Sequence, residues 1–137
     1  MQVEMNLSNI VESAESINVY NDGNIISFTE KEKTFDVLVE GWQDLLDNSH
    51  EMPAFGVSLN RHTTEEMKKG LWIEFVFEKQ IFYNEMPFEK LLVKVEKLWQ
   101  GFNIIRYNAS SGYDGRCYYV DLVGKNMSVF YDILINL

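Results

Sequence analysis

A chain of 137 residues with 46% apolar content has the length for one hydrophobic core and too much apolar area for disorder, so a single domain over 1–137 is expected. The net charge of −9 argues against nucleic-acid binding, which needs clustered Lys and Arg to displace counterions from phosphates, and disfavours anionic membrane surfaces equally. The longest apolar runs, such as Leu91-Leu92-Val93, fall far short of the roughly 20 residues that span a bilayer, no basic-then-apolar leader opens the sequence, and Cys117 is alone, so a soluble, cytoplasmic protein is expected.

In chain order, Leu7 to Ala14 predicts a short leading helix. Ile17 to Tyr20 and Ile25 to Phe28 flank the turn signal Asn21-Asp22-Gly23-Asn24 and predict a β-hairpin. Thr29-Glu30-Lys31-Glu32 has the form of a capping box, followed by Phe35, Leu38, Val39, Trp42, Leu45 and Leu46 at three-and-four spacing. That pattern predicts an amphipathic helix ending near Asn48-Ser49. Phe55 to Leu59 reads as a strand, and Thr63-Thr64-Glu65-Glu66 repeats the capping-box pattern for one or two turns before Gly70.

Leu71 to Glu78 alternates apolar and mixed residues and predicts a strand with one face in the core. Met86 to Trp99 fits either period. Pro87 at a first helical position and Gly101 as a stop favour helix over a strand through Val93 and Val95. Phe102 to Tyr107 and Arg116 to Val123 predict strands around a loop over Asn108 to Gly115, and Asn126 can cap a last helix through Phe130, Ile133, Leu134 and Leu137. The expected fold class is α+β: a single-layer, mostly antiparallel sheet of about five or six strands packed against two or three helices.

Chemical motifs are few. Neither a Gly-x4-Gly-Lys-Ser/Thr loop nor a Gly-x-Gly-x-x-Gly turn occurs, so no nucleotide cradle of those kinds is expected, and one Cys with two His leaves too few ligands at close spacing for a zinc site. Cys117 lies in the apolar run Arg116-Cys117-Tyr118-Tyr119-Val120 and is expected to pack as a small hydrophobe. His50 is expected beyond the helix end, donating to last-turn carbonyls, and His62 on the surface. No catalytic residue, metal ligand or cofactor is assigned.

All the net charge falls in residues 1–60, which hold 11 acids and two bases; residues 61–137 hold ten of each. On the helix after Thr29, Glu32, Asp36, Glu40 and Asp44 follow at four-residue steps with Asp47 beside them. Like charges so spaced cost an isolated helix about 0.2–0.5 kcal/mol per pair, and Asp44 and Asp47 sit at the unfavourable end of the helix dipole. A solvated face or contacts to lysines of the second half would explain the pattern blandly. The leading functional expectation is a non-enzymatic interaction module that docks a basic protein partner on this helix, as an inhibitor or immunity-type protein would, with Glu32, Asp36, Glu40, Asp44 and Asp47 as binding residues.

The alternative is a small-ligand-binding or enzymatic domain whose pocket on the sheet face uses Trp72, Arg106, Tyr107, Arg116 and Tyr118. A third expectation is a symmetric oligomer formed through the mixed face of the Leu71–Glu78 strand.

Overall fold

The computed structural model describes residues 5–53 and 56–137. Its elements are a 3-10 turn (Ile10–Ser13), β1 (Ser16–Asn21), β2 (Asn24–Thr29), α1 (Lys33–Leu46), β3 (His50–Met52), β4 (Val57–Ser58), α2 (Asn60–Glu66), β5 (Leu71–Tyr83), β6 (Met86–Val95), β7 (Gly101–Tyr107), β8 (Gly115–Arg116), β9 (Tyr118–Asp121) and α3 (Ser128–Ile135). Seven strands form one sheet in the order β2-β1-β5-β6-β7-β9-β3, every described pairing is antiparallel, and β4 with β8 makes a separate two-stranded ribbon. The fold is the expected α+β class, with one strand more in the main sheet than the pattern suggested.

The core lies between α1, α3 and one face of the sheet. Odd-numbered residues of β5 and β6, from Leu71 to Phe77 and from Leu91 to Val95, point into it because strand side chains alternate. Trp42 of α1 is fully buried against Phe75 and Phe102, with ring centroids 5.1 and 5.7 Å away, and its indole N–H donates to the Leu7 carbonyl at 2.8 Å. That bond ties the N-terminal segment, only one 3-10 turn of which is helical, to the core. Gly41 lets α3 approach α1: a Cβ there would stand 3.2 Å from Ile133 Cδ1 and 3.3 Å from Phe130 Cδ1.

Met86–Val95 of this stretch is a strand, β6, followed by a turn, and not the helix that Pro87 and Gly101 favoured. The two-residue turn Asn84-Glu85, with φ of 49° and 63°, closes the β5–β6 hairpin at Tyr83 and Met86. The next pair, Phe82 and Pro87, is then a non-hydrogen-bonded pair, so the missing N–H of Pro87 points away from β5, and β7 pairs only from Lys90 onward. Proline costs the ladder nothing there. From Lys90 to Val93 the strand is paired on both sides, and tertiary pairing outweighs local punctuation.

Both capping-box expectations are corrected in detail. Glu32 Oε1 accepts the Thr29 N–H at 3.3 Å, but Glu32 itself is the N-cap, three residues later than expected. α2 starts at Asn60, so Thr63 lies inside it, buried, with its hydroxyl bonded to Ser58. Phe55 of the expected Phe55–Leu59 strand lies outside the described residues, and β4 covers Val57–Ser58. The last strand ends at Asp121, before Val123 with its φ of 52°. No described helix is long and apolar enough to cross a membrane.

Candidate functional site

α1 owes its position to its apolar stripe, and the same periodicity fixes what faces outward. Phe35, Leu38, Val39, Trp42, Leu45 and Leu46 are buried, while Glu32, Asp36, Glu40, Asp44 and Asp47 are all exposed. Four side-chain ion pairs occur among the described residues, His62–Glu66, Lys68–Glu65, Lys94–Glu96 and Lys97–Asp132, and none involves α1. Two of the five acids have local partners: Glu32 accepts from Thr29, and Asp47 accepts from the Asn48 amide at 3.5 Å.

One lysine from the second half does reach this helix. Lys125 Nζ donates to the backbone carbonyls of Asp44, Leu45 and Asp47 at 3.4, 3.2 and 2.6 Å. It satisfies the last-turn carbonyls and opposes the negative end of the dipole, which explains how two aspartates are tolerated there. His50, to which that role was assigned from sequence, instead sits in β3 opposite Asp121. Glu40 and Asp36, one and two turns further back, have no such cation among the described residues.

The five residues of the alternative pocket do not converge. Arg106, Arg116 and Tyr118 line a cleft of about 420 Å³ with Glu51, Met52, Pro53, Asn84, Glu85 and Met86. Within it, Arg106 donates through Nε to the Arg116 carbonyl at 2.8 Å and through Nη1 to the Pro87 carbonyl at 3.0 Å. The buried Tyr118 hydroxyl donates to the Tyr83 carbonyl at 2.6 Å and lies 3.2 Å from that of Met86. These donors bind backbone: Arg106 Nη1 and Tyr118 brace the β5–β6 turn, and Arg106 Nε ties β7 to β8.

Trp72 and Tyr107 lie on the opposite face of the sheet, in a small cluster with Leu92 and Tyr113. Trp72 Nε1 donates to the Lys69 carbonyl at 2.7 Å, and Tyr107 packs edge-on against Tyr113 with Lys90 Nζ 4.6 Å from its ring centroid.

That face also holds a group no sequence signal marked. Glu74 is 0% exposed, and its carboxyl accepts from the Tyr20 hydroxyl at 2.9 Å, from the Asn18 amide at 3.2 Å and from the Tyr113 hydroxyl. Burial first, and the Glu74 carboxyl second, push the Tyr20 and Tyr113 hydroxyls well above the ordinary tyrosine range. Three donors satisfy a carboxyl that reaches no solvent, so the cluster is built as a fastening between β1, β5 and the 108–114 loop. Its members stand 54 and 39 residues apart, a separation no local pattern records.

On the mixed face of β5, which lies between β1 and β6, Trp72 and Glu74 are buried, Val76 is half-buried and Glu78 is exposed, so only its Val76–Glu78 end is open. Cys117 is buried, and burial pushes its thiol up, away from the thiolate a nucleophile needs. No group of three or more His, Cys, Asp or Glu among the described residues is placed to hold a metal ion. Comparison with protein-family models, curated proteins and solved structures finds no match for this chain.

Proposed function

We propose that the protein is a non-enzymatic interaction module that docks a basic protein partner on the exposed acidic face of α1, as an inhibitor or immunity-type protein neutralises a cationic target. One observation carries the reading: Glu32, Asp36, Glu40, Asp44 and Asp47 are exposed together and none forms a side-chain ion pair among the described residues. Lys125, the one second-half lysine bonded to this helix, meets backbone carbonyls and none of these carboxylates. An unneutralised stripe of one sign accelerates encounter with an oppositely charged surface and rejects like-charged ones. The same charge opposes nucleic acid as a partner, and the cytoplasm is the compartment we assign.

The small-ligand reading is the weaker one. Its cleft has the volume of a ligand site, typically about 300–1,000 Å³. The Arg106 and Tyr118 donors, however, are spent on backbone carbonyls, and the aromatic members Trp72 and Tyr107 are on the far face.

Capture from native lysate at low salt tests the proposal. The wild-type chain is expected to retain a basic protein in stoichiometric amount, and a folded D36K/E40K/D44K variant to lose it. Equal retention by both would remove the acidic face from the interface.

A further inference from the structure

The two ends of the main sheet are finished differently. β3, at one end, is three residues long and carries His50 and Glu51, a short charged edge of the kind that discourages further pairing. β2, at the other, runs six residues, Asn-Ile-Ile-Ser-Phe-Thr, with no charge and no proline; its pairing with β1 is unbroken, and Ile25 and Ile26 are 59% and 43% exposed.

The register shows which backbone groups this edge leaves open. Asp22 and Gly23, with φ of 48° and 88°, form a two-residue turn whose closing pair Asn21–Asn24 is hydrogen-bonded. Asn24, Ile26 and Phe28 therefore direct their N–H and C=O groups at β1, and Ile25, Ser27 and Thr29 direct theirs outward. The cap before α1 bears this out: the outward N–H of Thr29 donates to Glu32 Oε1, and its carbonyl accepts the Glu32 N–H. Thr29 is thus occupied. Ile25 and Ser27 remain, presenting two donors and two acceptors at antiparallel-ladder spacing.

Glu32 joins this edge to the acidic stripe at a corner, since it both bonds Thr29 and begins the four-residue series along α1, which packs beside β2. From Asp22 to Asp36 the chain carries four acids and two lysines, Lys31 and Lys33. We infer that β2 accepts an extended segment of the basic partner as an eighth strand, pairing at Ile25 and Ser27 while the partner's cations lie toward Glu32 and Asp36. This rests on the docking role proposed for α1. A second copy of this chain would bring nine further negative charges to the same edge for only four ladder bonds, so the basic segment is the fitting occupant.

A synthetic peptide of alternating Lys and Val tests it, beside a twin of identical charge N-methylated on alternate residues. At low salt the first is expected to bind and to slow amide exchange at Ile25 and Ser27, and the twin to bind weakly. Ser27→Pro removes an outward N–H and the Ser27 hydroxyl's bond to Asn18 Oδ1 while leaving the backbone ladder to β1 intact, and should weaken binding about tenfold where Ser27→Ala, which loses the hydroxyl alone, should not. Ile26→Lys, a charge placed on the edge, should weaken it as well. No binding, equal binding of the two peptides, or unchanged exchange at Ile25 and Ser27 would overturn the inference. If D36K/E40K/D44K abolishes peptide binding while Ser27→Pro leaves it unchanged, the acidic helix keeps its role and the edge loses it. A peptide-free dimer in sedimentation, dissolved by Ser27→Pro, would assign the edge to a second copy instead.

Discussion

Glu74 shows how a single residue can be invisible in sequence and decisive in the fold. In an alternating strand it reads as a solvent-facing acid, yet the 108–114 loop brings Tyr113 over it and the β1 pairing brings Tyr20 and Asn18. Glu74→Leu leaves the buried Tyr113 hydroxyl without an acceptor, a loss of about 1–3 kcal/mol in urea unfolding, and Glu74→Gln, which keeps one acceptor, about half as much. An unchanged midpoint in Glu74→Leu would show that the cluster adds no stability.

The tyrosines around these carboxyls also set an alkaline limit. Burial raises the Tyr20, Tyr83, Tyr113 and Tyr118 hydroxyls, with Glu74 adding to the first and third and Glu51 to the second. A folded-state pKa above the unfolded one means the folded form holds the proton more tightly. Their contribution is therefore complete below about pH 10, the ordinary tyrosine value, and is lost progressively as pH rises above it. Denaturant midpoints should fall as pH rises from about 10 to about 12, with tyrosinate absorbance appearing together with unfolding; a flat midpoint over that window would contradict the assignment.

At the level of elements, the amphipathic stripe of α1 was legible because one helix face carries six large apolar residues at a single period. The β1–β2 hairpin was legible from Asp22-Gly23. β6 was not. Its apolar residues satisfy both periods, and what decides between them is the Asn84-Glu85 turn, whose positive φ values fall on residues that carry no glycine signal. The cap on α1 was equally hidden: sequence places His50 near the helix end, while Lys125 arrives there from 78 to 81 residues away. Lys125→Met is expected to lower stability by about 0.3–1 kcal/mol in urea at low salt, the usual worth of a cation at a helix C-terminus, and less at high salt. An equal effect at both ionic strengths would assign Lys125 a packing role only.

For the whole molecule, the charge is segregated, with the negative excess in residues 1–60 and a stripe of it on the outer face of α1. Sequence placed those five acids on one helical face because that requires only the helix period. It could not show that they remain unpaired by side-chain cations, nor that they meet an unprotected sheet edge at Glu32, because both depend on where 12 lysines and arginines end up in the fold. It likewise grouped Trp72 and Tyr107 with Arg106, Arg116 and Tyr118, since spacing along separate strands does not say which face each side chain takes once the strands are paired. The central claim is that a basic partner covers α1. Carbodiimide labelling of carboxyl groups, read by mass spectrometry with and without the partner captured at low salt, tests it without mutation. Protection of Asp36, Glu40 and Asp44, with Glu65 and Glu78 labelled as before, is the predicted result; equal labelling of Asp36, Glu40 and Asp44 in the free and bound protein would contradict it.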